Sequence, residues 1–154
     1  MKRIYLIGVA LCLSLVVNAQ SLVPISWTAY GLVFDAPRGI RIEEDTEDTF
    51  LLNNNHFYIT LQTLDSDEIT REELNALLIG LAKDDGVEGL SSVVDYDLPQ
   101  FQGIYVKGTS GEDSCYYVCL ITKDAGSMFL ITILYNRTEE QSVDKILKSF
   151  KMEE

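Results

Sequence analysis

The residues FQGIYVKG (Phe101–Gly108), CYYVCLIT (Cys115–Thr122) and MFLITILY (Met128–Tyr135) decide how this chain folds. All three runs are rich in β-branched and aromatic side chains and are separated by short Gly- and Asp-bearing turns, which predicts consecutive antiparallel strands. With a period of two, Cys115, Tyr117, Cys119 and Ile121 point one way, and Tyr116, Val118, Leu120 and Thr122 the other. In the third run Met128, Leu130 and Leu134 share one face, and Phe129, Ile131, Ile133 and Tyr135 share the opposite one. Both faces are apolar, so both should be covered, because a sheet with a wet side alternates more cleanly. The turn Lys123–Ser127 suits a hairpin with Gly126 in positive φ.

Upstream, Gln20–Tyr30 reads as an irregular arm in which Trp27 and Tyr30 cover a sheet edge. Gly31–Gly39 reads as a strand stopped by Pro37 and turned at Gly39, followed by a short strand at Ile40–Ile42. Phe50–Leu52 and His56–Leu64 make a hairpin through Asn53-Asn54-Asn55, with Phe57, Ile59 and Leu61 facing inward and Tyr58, Thr60 and Gln62 facing a wetter side. Thr70-Arg-Glu-Glu73 is a capping box, and Leu74, Leu77, Leu78 and Leu81 follow at helical spacing. Val93–Leu98 is a half-buried strand with Val94, Tyr96 and Leu98 on one side. Thr138-Glu-Glu-Gln141 repeats the capping box before Val143, Ile146, Leu147 and Phe150, which predicts a second amphipathic helix.

The first 19 residues carry a basic start, an apolar run and small residues at Val17 and Ala19, the grammar of a secretory leader cleaved before Gln20. Leu11 is too bulky for a good lipobox before Cys12 and the apolar run continues beyond it, so ordinary cleavage is favoured over lipidation at Cys12, the alternative. Residues 20–154 then form one domain, exported to a periplasmic or extracellular space, with no membrane insertion after cleavage. The whole chain of 154 residues has 12 basic and 24 acidic side chains, a net charge of -12, and the leader contains no acidic residue. Such a balance excludes nucleic acid and anionic lipid surfaces as partners. Cys115 and Cys119 lie about 13 Å apart on one extended strand at ~3.3 Å per residue, beyond disulfide reach, and read as buried thiols.

Chemical motifs are absent. His56, the single histidine, stands beside a polar turn and reads as a loop-end residue. Asp65-Ser-Asp67 opens like a calcium loop, but the turn glycine is missing and Ala76 stands at the closing position. There is no Gly-rich phosphate loop, His-Glu-x-x-His pair or Cys-x-x-Cys, so neither a cofactor nor a metal is expected.

The order of elements, with Phe34-Asp-Ala-Pro37-Arg-Gly39 near the start and Ile146-Leu-Lys-Ser-Phe-Lys151 near the end, resembles the PsbP-like domains, the group of the photosystem subunit PsbP and the envelope lipoprotein DcrB. That resemblance implies an α+β fold, a three-layer α/β/α sandwich around an antiparallel sheet, and an accessory rather than enzymatic role. A small secreted bacterial domain of unknown function fits the same grammar. The expected function is therefore an exported, non-catalytic binding or accessory domain of the bacterial cell envelope. It would engage an envelope protein or small ligand through Trp27 and Tyr30 or through Tyr58 and Tyr96. A hydrolytic enzyme with a site assembled from distant residues, and a cation-binding protein, are the alternatives.

Overall fold

The structure, a computed structural model, describes residues 21–65 and 69–153. The strands are β1 (Leu22–Trp27), β2 (Leu32–Pro37), β3 (Arg41–Asp45), β4 (Thr49–Asn53), β5 (Phe57–Leu64), β6 (Val94–Asp97), β7 (Phe101–Ser110), β8 (Asp113–Thr122), β9 (Met128–Asn136) and β10 (Lys151–Met152). Helix α1 spans Arg71–Asp84, and α2 spans Glu140–Lys148. Seven strands make one antiparallel sheet in the order β3-β4-β5-β9-β8-β7-β6, and β1-β2-β10 make a second.

The alternation in β8 and β9 is realised side for side. Tyr116, Val118, Leu120, Phe129, Ile131, Ile133 and Tyr135 pack into one core with Trp27, Phe34, Val143, Ile146 and Phe150. Cys115, Tyr117, Cys119, Met128 and Leu130 pack into another with Leu74, Leu78 and Ala82 of α1. β8 therefore lies between two separate apolar layers, which a strand can do only when neighbours on both sides satisfy its backbone. Register pairs it with β7 from Phe101↔Thr122 to Ser110↔Asp113 and with β9 from Ile121↔Met128 to Asp113↔Asn136.

The three-layer α/β/α expectation is corrected: the molecule is mostly β, with two antiparallel sheets and two short helices. The reason lies in the arm. Leu22–Trp27 is extended and pairs with Leu32–Pro37 along its whole length, so one face of the large sheet is covered chiefly by a second sheet rather than by helix. β10 adds to β2 through Lys151↔Val33 and Met152↔Leu32, and α2 fills only the end of that layer. Phe150 stacks on Phe34 with ring centroids 4.9 Å apart. Beside it the Asp35 amide donates to Ser149 Oγ at 2.8 Å.

Helix starts follow their caps. At α1, Thr70 Oγ1 accepts from the Glu73 amide and Glu73 Oε2 accepts from the Thr70 amide, each at 3.2 Å, the reciprocal box read from sequence. At α2 the expected Thr138 box does not form. Asn136 Oδ1 accepts from the Thr138 amide at 3.0 Å and from its hydroxyl at 2.8 Å, so Arg137–Glu139 forms a 3-10 turn and α2 begins after it. On β7, Gly108 is required by packing: a Cβ there would stand 2.4 Å from Val87 Cγ1 and 2.9 Å from the Glu88 carbonyl.

Every outer strand carries a guard against further pairing, which in β10 is the bond from the Met152 amide to Gln100 Oε1 at 2.9 Å. In β1, Ser21 O accepts from the Arg38 amide at 2.9 Å, which turns alternate residues toward β2 and leaves Pro24, with no N–H, on the open side. β3 is bulged between Ile42 and Glu44 and carries Glu43, Glu44 and Asp45. β6 carries Asp95 and Asp97, both exposed.

Ile146 is fully buried between α2 and the sheets, so Ile146→Ala is expected to cost about 2–4 kcal/mol in chemical denaturation. A chain ending at Asn136, which loses α2 and β10, should not fold cooperatively. A truncated chain melting at the temperature of the whole would contradict this packing.

Candidate functional site

Helix α1 packs on β7 and β8 and leaves the β3-β4-β5 half of that face without a covering element among the described residues. The register names what stands there. Leu51 is opposite Thr60 and Glu44, Thr60 is opposite Thr132, Asn53 is opposite Tyr58, and Tyr58 is opposite Leu134. Leu51, Thr60, Thr132 and Leu134 are half-buried, and Tyr58 is 43% exposed. The Asn53–His56 turn sets that exposure. Asn54 Oδ1 accepts from the amides of His56 and Phe57 at 2.8 Å, which starts β5 with Phe57 inward and Tyr58 outward.

Tyr58 lines a shallow pocket of about 270 Å³ with Asn53, His56, Asp113, Leu134 and Asn136. The pocket joins His56 to Asp113, but no serine, threonine or cysteine lines it. Around this face the carboxylates are Glu44, Asp113 and Asp85, the last accepting from Tyr117 Oη at 2.6 Å. The one cation in these rows, Arg41, donates to Asn53 Oδ1 at 3.3 Å and lies 3.9 Å from Glu43. A larger open cleft of about 770 Å³ lies between β10 and the turn before β7, lined by Val33, Pro99, Gln100, Lys151, Met152 and Glu153. It holds no acid–base pair of its own beyond the exposed Lys151 and Glu153.

The aromatic residues singled out from sequence fall in three different places. Trp27 is wholly buried and donates from Nε1 to the Thr46 carbonyl at 2.8 Å. Tyr30, half-buried, packs edge-on against it at 4.6 Å and donates to the Glu47 carbonyl at 2.5 Å. Together they pin the acidic β3–β4 turn and offer little surface. Tyr96 lies on the opposite face of the sheet from Tyr58, its ring over Gly103, where a Cβ would stand 2.5 Å from it. Tyr58 is the one of the four that presents its ring to solvent.

A second polar cluster escaped sequence reasoning, because its members are far apart in the chain. Glu140, at the start of α2, is ion-paired with Lys107 and accepts from Tyr135 Oη at 2.5 Å, while Lys107 Nζ sits 5.3 Å above the Tyr116 ring. Burial works against the charge on Glu140, yet hydrogen bonds from Lys107 and Tyr135 outweigh it and hold the carboxyl below its ordinary range. Burial likewise opposes the Lys107 charge, and the Glu140 bond and the Tyr116 ring raise its pKa regardless. Tyr135 is pushed up by burial and then by its bond to Glu140, and Tyr117 by burial and its bond to Asp85. Among the thiols, burial raises Cys115 and pushes Cys119 up to about 12. All these shifts deepen the resting protonation state, whereas an acid–base catalyst needs its pKa drawn toward the working pH. The buried thiols are correspondingly poor nucleophiles.

A family model described as dihydro-orotase-like matches residues 6–139. Among solved structures, the Ran-binding protein Mog1p of Saccharomyces cerevisiae shares the fold with a TM-score of 0.61 at 9% identity, covering 87% of this chain and 96% of that one. A point mutant of protein Mog1 matches with a TM-score of 0.59 at 10% identity, covering 86% and 96%. Comparison with curated proteins finds no match. The PsbP-like, secreted bacterial assignment is corrected by these findings: the family model that matches is another one, and neither comparison speaks of a bacterial source or of secretion. The motifs behind the resemblance are packing devices, since Ser149 and Phe150 serve Asp35 and Phe34 of β2. At such identity the likeness to Mog1p is one of fold.

Because Glu140 titrates lower in the folded chain, its ion pair stabilises above the ordinary glutamate value of about 4.3, and the contribution is lost as pH falls through the lowered value. Lys107 and Glu140 are 37% and 45% exposed, so solvent screening keeps the effect small. Glu140→Gln should melt roughly 1–3 °C below wild type near neutral pH and converge with it as the pH falls through the lowered Glu140 value. A constant gap across that range would show that Glu140 does not stabilise as an ion.

Proposed function

We propose that this chain, which belongs to the dihydro-orotase-like family, is a non-catalytic binding domain that docks a protein partner on the uncovered half of its large sheet. One observation carries the reading: Tyr58, 43% exposed, stands with half-buried Leu134 in one row and beside half-buried Leu51 in the next, on a half-sheet that no other described element covers. An aromatic with a polar rim on a rigid sheet suits an interface, because little side-chain entropy is lost on docking. The occurrence of this fold in a Ran-binding protein accords with a binding role.

The direction of the pKa shifts supports a non-catalytic reading despite the enzyme in the family's description. The hydrolytic alternative lacks a nucleophile in the pocket that joins His56 to Asp113. No group of three or more His, Cys, Asp or Glu side chains among the described residues is placed to hold a cation. Export through a leader cleaved before Gln20 remains part of the proposal, resting on the sequence grammar of residues 1–19, which lie outside the described residues.

A photoreactive phenylalanine placed at position 58 tests the docking face in the cells that make the protein, with Gln141 on α2 as the control position. A discrete protein adduct is expected from position 58 and not from 141, on a chain whose first residue is Gln20. Adducts from neither position, or equally from both, would remove this face from consideration, and an uncleaved Met1 start would remove export.

A further inference from the structure

Resting on the docking reading, we infer that the partner presents a basic segment, with an arginine side chain laid over the Tyr58 ring and its charge directed to Asp113. Tyr58 and Asp113 line one pocket, so a ring face and a carboxylate are offered to the same guest. A guanidinium satisfies both, by stacking on the aromatic face and by hydrogen bonding to the carboxylate. Charge complementarity extends beyond the pocket. Glu44 stands in the row of Leu51, and Asp85 stands by Tyr117. Of the cations nearby, Arg41 is already occupied by Asn53 and Glu43, and Arg137 donates to the Gly111 carbonyl at 3.2 Å.

Other occupants fit less well. A chain of net charge -12 repels nucleic acid and anionic membrane. A second copy docked by two-fold symmetry would bring the patch that holds Glu44 and Asp113 against the same acidic patch of the other chain. Strand addition is opposed at β1 by Pro24, at β10 by Gln100 on the Met152 amide, at β3 by the bulge and at β6 by Asp95 and Asp97. What remains is a partner that lies on the face of the sheet and brings positive charge.

Amide chemical shifts of the protein titrated with an arginine-rich peptide, and with a glutamate-rich peptide of equal length, test this directly. The arginine peptide should move the amides of Leu51, Tyr58, Thr60 and Leu134, and the glutamate peptide should move none of them. Tyr58→Ala should weaken binding roughly fivefold and Asp113→Asn roughly threefold, while Tyr58→Phe, which keeps the ring, should change it less than about twofold. Tyr58 is exposed, so an unchanged melting temperature will show that its variants fold. Shifts confined to the Glu43–Asp48 turn, with Tyr58→Ala binding like wild type, would overturn the inference by reducing it to general attraction toward acidic residues. A photo-adduct at position 58 with an acidic or purely apolar segment would overturn the basic partner and leave the docking face standing. Failure of both experiments would overturn the two together.

Discussion

Burial of β8 on both of its faces is the constraint from which the rest of the architecture follows. Residues Cys115–Leu120 are all buried, with side chains directed alternately into two separate cores. Such a strand has no wet side on which to place a polar residue, so each face needs its own cover. The chain supplies α1 for one and the small sheet with α2 for the other. Each large side chain enclosed this way contributes about 1.5–3 kcal/mol relative to exposure, so the two layers together outweigh any single surface ion pair in the molecule.

The covers differ in extent, and that difference creates the candidate site. The small sheet spans enough of its side to enclose Phe50, Leu52, Phe57, Ile59 and Leu61 of β4 and β5. Helix α1 has only 14 residues and sits over β7 and β8, so among the described residues no element covers the other side of the same two strands. Trp27 and Tyr30 matter here at a distance: by holding the carbonyls of Thr46 and Glu47 they fix the turn that joins β3 to β4. The guarded outer strands keep the edges free of unwanted pairing.

Much of this could be read from the residues, and the rest could not for definite reasons. The two-sided alternation of β8 and β9 and the Thr70–Glu73 box are local patterns, and both stand in the structure as the sequence implies. The arm is a strand rather than irregular although Leu22–Trp27 contains Pro24 and lacks clean alternation, because its strand character comes from pairing with β2. The role of Trp27 was hidden for a similar reason, since its indole bonds a carbonyl 19 residues away. Asn136 takes over the cap expected from Thr138 by reaching the Thr138 amide first. In the β8–β9 turn, Ala125 rather than Gly126 takes positive φ, because Asp124 Oδ1 holds the Gly126 amide. Tyr58 could be placed on the wetter side of β5 from its period, but the sequence could not show that α1 stops short of covering it. The pairing of Lys107 with Glu140 needs the fold itself, as no local signal joins residues 33 apart.

Hydrogen exchange at single amides under native conditions tests the two-sided enclosure of β8 most directly. The account predicts that Tyr116–Leu120 and Phe129–Ile133 exchange only through global unfolding, on the order of a hundredfold or more slower than Arg41–Asp45 and Val94–Asp97 at the sheet edges. Exchange of Tyr116–Leu120 at the rate of the edge strands would contradict it, for a strand covered on both faces and paired on both sides has no local route to solvent.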